Sequence, residues 1–94
     1  MTSSINNKKV DALFDAILAL KNKTEAKKFL RDLLTEPEIE EFSHRWMAAQ
    51  MLDAGNSYIE IAGKTGLSST TIARISKWLN KGEGGYKLML KRMK

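Results

Sequence analysis

Residues 57–80 read "SYIEIAGKTGLSSTTIARISKWLN", and the part that decides the fold is Gly66–Asn80, "GLSSTTIARISKWLN". Four small hydroxyl residues, Ser68 to Thr71, open a segment whose apolar positions then recur at helical spacing. The stretch meets the physical demands of a helix-turn-helix. Two helices that cross at about 90–120° through a turn of three or four residues need a small residue at the crossing, and Ala62 supplies it. The turn needs a residue that tolerates positive φ, and Gly66 stands four positions on. Leu67 can pin the two helices from the turn. Ile72, Ile75 and Leu79 form the inner face of the second helix, with Ile61 opposing them from the first.

That reading explains the hydroxyl run. Ser68 is a suitable N-cap. Ser69, Thr70 and Thr71 fall in the first turn, the part of a recognition helix that meets base edges. Small hydroxyls let the backbone approach, exchange hydrogen bonds with bases and set a methyl on thymine. With Ile72 inward, steps of about 100° per residue carry Thr70, Ala73, Arg74 and Lys77 to the outer face. Thr71 lies on a flank beside Trp78. The predicted DNA surface is Ser68, Ser69, Thr70, Thr71, Arg74 and Lys77, with Tyr58 and Lys64 near the phosphate backbone. A helical hairpin used only as scaffold in a protein-interaction module is the alternative. Steep salt dependence of duplex binding separates the two.

Charge points the same way. Residues 1–55 hold eight lysines and arginines against nine carboxylates, a net of −1. Residues 56–94 hold eight against only Glu60 and Glu83, a net of +6. A concentrated basic surface favours a polyanion, nucleic acid before anionic membrane.

The rest of the 94-residue chain reads as helix, with one proline and no alternating β-branched run. The first helix is expected over about 7–21, with Val10, Leu13, Phe14, Ile17 and Leu18 as its apolar stripe. The second is expected over 25–34, capped by Thr24. Thr35 and Glu38 have capping-box spacing and Pro37 suits a first turn, so a third helix starts near Glu36 and stops before Gly55. Its main face is Ile39, Phe42, Trp46, Ala49 and Leu52, widened by Met47 and Met51, which marks a central helix. Two short helices, 57–65 and 69–80, and a last one near 85–92 complete an all-α fold of about six helices in a single domain, 1–94. Ten of the apolar residues in 10–34 form two stripes, the second being Ala26, Phe29, Leu30, Leu33 and Leu34, that one small chain cannot cover alone, so an obligate homodimer is expected.

Several functions find no support. There is no cysteine, which excludes a disulfide framework and Cys-based zinc, and fits the cytoplasm. His44 is the single histidine, so no metal is expected. The glutamates at 36, 38, 40 and 41 suit a helix start and accompany no nucleophile or pocket. "GEGG" is no phosphate loop, and the chain is not read as an enzyme. No window nears the roughly 18 apolar residues of a membrane span, and no signal peptide is seen in "MTSSINNKKV".

Over about residues 10–90 the chain resembles the Trp repressor family. The likeness rests on "LLTEPEIEEFSHR", where Leu-Leu-Thr and a capped helix start precede an arginine ten residues on. It continues in the Gly-x-Ser before the helix-turn-helix and in the Thr-Ile-x-Arg string of "GLSSTTIARIS". The resemblance implies an intertwined homodimer, a helix-turn-helix at 57–79 and binding to double-stranded DNA at a near-palindromic operator. Thr35, Arg45 and Arg74 match family residues around the bound tryptophan. The glycine that leaves room for the indole matches Ile75, and the serine one turn later matches Trp78. Both replacements are bulky, so no tryptophan corepressor, and no cofactor, is expected.

Overall fold

The structure, a computed structural model, describes residues 7–94. Six helices follow one another: α1 (Lys8–Ala19), α2 (Lys23–Leu33), α3 (Glu36–Asp53), α4 (Tyr58–Thr65), α5 (Ser69–Lys81) and α6 (Gly85–Arg92). No strand is present among the described residues. The chain divides into two compact units, one ending at Glu36 and one running Pro37–Lys94.

The first unit holds α1 and α2. Asn7 caps α1, its Oδ1 accepting from the Val10 N–H at 2.9 Å. Asn22, not Thr24, caps α2 by accepting from the Glu25 N–H at 2.9 Å. Glu25 in turn accepts from the Lys21 N–H at 2.9 Å, so the polar chain reversal settles the start two residues earlier than expected. Neither helix has a buried residue. The apolar stripe of α1 remains open, with Leu18 82 % exposed.

The second unit carries the core. Ala48 and Ala49 of α3, Ile61 of α4, and Ile72 and Ile75 of α5 form one fully buried cluster. Leu79 and Leu90 are buried as well. Of the expected face of α3, Ala49 is buried and Trp46, Leu52 and Met51 pack against the cluster, whereas Phe42 and Met47 stay exposed and Ala48, outside the expected face, is buried. The two alanine methyls let other helices approach closely. The end of α3 is a Schellman motif: the Asn56 N–H donates to the Met51 carbonyl at 2.9 Å and the Gly55 N–H to that of Leu52 at 3.1 Å. Gly55 takes φ +91°, which an L side chain rarely adopts.

A reciprocal capping box opens α4. Ser57 Oγ accepts from the Glu60 N–H at 3.2 Å, and the Glu60 carboxylate accepts from the Ser57 N–H at 2.8 Å. The backbone bond from Ser57 is the main cause holding the Glu60 carboxyl below its ordinary 4.5. Its contribution to folding is therefore complete above that value and is lost as pH falls through the lower, folded-state pKa. On acidification below 4.5 the start of α4 is expected to fray. The protection of the Glu60 and Ile61 amides relative to their intrinsic exchange rates will fall, and Glu60→Gln will flatten that pH dependence; an unchanged pH profile of protection in the variant would refute the assignment.

Candidate nucleic-acid interface

The turn between α4 and α5 has the geometry that close crossing requires. Gly66 takes φ +73° and its N–H donates to the Ala62 carbonyl at 2.8 Å. Thr65 adds a lock the sequence reading missed. Its buried hydroxyl donates to the Ile61 carbonyl at 2.8 Å and accepts from the Leu67 N–H at 3.1 Å. One side chain thus ties the last turn of α4 to the turn itself. Its position next to the glycine was the available signal, since threonine hydroxyls often bond back one helical turn. Leu67 packs against the core cluster, as does Ala62.

The hydroxyl run separates into two pairs. Ser68 Oγ accepts from the Thr71 N–H at 3.1 Å and donates to Thr71 Oγ1 at 3.1 Å, so both hydroxyls serve the cap. Ser69 and Thr70 are exposed, and their hydroxyls have no hydrogen-bond partner among the described residues. Ala73, Arg74 and Lys77 are exposed on α5, and Tyr58 and Lys64 on α4. Arg74, Lys77 and Lys64 have no carboxylate partner among the described residues. Helix α5 contains no acidic residue. The surface is small at its leading end, basic behind it, and electrostatically uncommitted.

The positions that match the family's ligand site stand differently. Arg45 forms an i,i+4 ion pair with Glu41, while its Nε is buried with no hydrogen-bond partner. Thr35 lies in the first unit, exposed before α3. Ile75 is 0 % exposed, a member of the core cluster. Trp78 is not a core residue in this chain: it is 44 % exposed and lines an open apolar groove with Trp46, Tyr86 and Met89. Trp46 and Tyr86 stack there with centroids 6.5 Å apart. No cluster of metal-ligating side chains occurs among the described residues, and no helix among them is long and apolar enough to cross a membrane.

Comparison with known proteins agrees with this geometry. Residues 8–94 match the family model described as Trp repressor protein. An uncharacterized protein of Bacillus subtilis (strain 168), YerC, is 40% identical over 90 residues, covering 96% of this chain and 86% of that protein. The crystal structure of a TrpR like protein from Eubacterium eligens superposes with a TM-score of 0.93 at 39% identity, over 98% of this chain and 95% of that one. A candidate Trp repressor from Staphylococcus aureus superposes with a TM-score of 0.90 at 37% identity, over 99% and 94% of the two chains.

Proposed function

Because the chain belongs to the Trp repressor family and has its all-α fold, we propose that it is a sequence-specific DNA-binding regulator, a repressor, that acts as a homodimer and reads DNA with α5. The observation that carries this reading is the outer face of α5. Ser69 and Thr70 offer unpartnered hydroxyls to base edges, and Arg74 and Lys77 offer uncompensated charge behind them. Ser68 and Thr71 hold the first turn in place, and Tyr58 and Lys64 supply contacts to the phosphate backbone.

Two copies are needed for the covered surface and for the site. The exposed stripe of α1 and the half-buried stripe of α2 support an obligate homodimer, since a helix without one buried residue contributes little to the stability of a lone chain. Two recognition helices then read half-sites about 34 Å apart, which demands a near-palindromic operator. Selection from random duplexes followed by a salt titration tests the function. The logarithm of affinity is expected to fall against that of salt with about 0.9 unit of slope per phosphate neutralised. A flat titration would favour the scaffold reading, and a folded monomer in sedimentation at micromolar concentration would remove the dimer.

We further propose that tryptophan is not a corepressor here. Support comes from Ile75, which occupies a fully buried place in a packed cluster and leaves no slot for a flat ring at that position. The Arg45–Glu41 pair gives one of the retained arginines a different occupation. Calorimetry with L-tryptophan is expected to show no saturable heat below millimolar concentration. Saturable binding, or operator affinity that rises with tryptophan, would overturn the claim.

A further inference from the structure

We propose that the hollow between α5 and α6 is a binding site for a small phosphate monoester, separate from the DNA face and from the family's corepressor positions. The hollow measures about 430 Å³, a size that suits a small molecule. Lys87 and Lys91 border it one turn apart on α6, and Lys94 borders it two residues beyond that helix. From α5 it is bordered by Ser76 and Asn80, also one turn apart. Buried Leu79 and Leu90, with Leu52 from the end of α3, contribute the apolar part of the lining.

The charges are unequally matched. Asp53 is the single carboxylate in the lining, and it pairs with Lys94 at 3.2 Å. Lys87 and Lys91 have no ion-pair or hydrogen-bond partner among the described residues. Like charges one turn apart on a helix repel, so the arrangement favours a shared counter-ion. A phosphate monoester carries close to two negative charges near neutral pH and presents three acceptor oxygens, which matches two free ammonium groups. The Asn80 amide donates to the Ser76 carbonyl at 2.8 Å, which leaves its Oδ1 and the Ser76 hydroxyl to meet hydroxyls of the organic part. The leucines exclude water from one side and strengthen those polar contacts.

A concave, partly apolar hollow suits a compact ligand better than a duplex backbone, which meets charges on projecting ridges. Ser76 and Asn80 also lie to one side of the Thr70–Arg74–Lys77 stripe when α5 is stepped at about 100° per residue. The site therefore stands whether or not α5 reads DNA.

Isothermal titration calorimetry of the full chain with ribose 5-phosphate, and with ribose as the uncharged control, tests the proposal. Ribose 5-phosphate is expected to bind saturably and ribose not at all. The double variant K87M/K91M should lose at least tenfold in affinity, with an unchanged melting curve. Asn80→Asp, which sets a second carboxylate against the lysines, should lose at least as much. K27M/K28M on α2 should bind like wild type. No saturable binding at millimolar ribose 5-phosphate would overturn the site, as would equal affinity in K87M/K91M. Loss of duplex affinity with a shallower salt slope in K87M/K91M, without ribose 5-phosphate binding to wild type, would assign the lysines to DNA instead. Ribose 5-phosphate binding by a protein that binds no duplex would uphold this site while removing the DNA reading.

Discussion

Truncating Ile75 to alanine is expected to destabilise the protein by about 2–5 kcal/mol, the range for deleting a buried branched side chain. Ile75 is 0 % exposed and shares its cluster with Ile61, Ile72 and the two alanines of α3. Those alanines cannot extend to fill the space, because each ends at its methyl. The cavity therefore persists, and the lost transfer energy and the lost contacts add. Chemical denaturation of wild type and variant at one fixed protein concentration measures the difference, since the apparent stability of the proposed dimer would depend on concentration. A cost below about 1 kcal/mol would mean that the cluster rearranges freely around position 75, and Ile75 would then not bar an indole from that place.

Arg74→Ala is expected to weaken binding to the selected operator by about 1–3 kcal/mol, roughly five- to 150-fold, the scale of one good charged contact to DNA. Arg74 is exposed and makes no ion pair or side-chain hydrogen bond among the described residues, so nothing there gives it a role inside the fold. Its removal should therefore leave the melting curve in place while affinity falls. Fluorescence anisotropy at moderate salt separates two versions of the contact. If Arg74 meets a base, discrimination between operator and random duplex narrows. If it meets phosphate, both affinities fall together and the salt slope drops by about one unit. Wild-type affinity in the variant would remove Arg74 from the interface.

The helix-turn-helix was legible because its signals are local. A cap, a glycine in the turn and apolar spacing over two dozen residues each act within a few positions, and the structure returns them as the Ser68 cap, Gly66 at φ +73° and the buried Ile72, Ile75 and Leu79. The exposure of Thr70, Ala73, Arg74 and Lys77 follows from the same periodicity. Less legible was the choice between near-equal caps. Asn22 and Thr24 are both good N-caps, and the competition was settled by Glu25, which bonds back to Lys21 and commits the chain to the earlier start.

The six helices, their order and the exposed outer stripe of α5, the face proposed to meet DNA, were determined by the sequence alone, because hydrogen bonding within a helix and its apolar period are set by near neighbours. Tertiary structure decided which of several apolar faces is covered. Helix α3 is apolar on more than one side, and periodicity set Phe42 on one face with Ala49 and left Ala48 off it; the approach of α4 and α5 covers both alanines and leaves Phe42 and Met47 exposed, because close packing requires short side chains where helices meet. It also decided that the Thr65 hydroxyl closes the turn and that Ser68 and Thr71 engage each other, leaving Ser69 and Thr70 free. Hydroxyls of equal propensity differ only in what the folded chain brings within hydrogen-bond reach, and that distance is a property of the packed molecule.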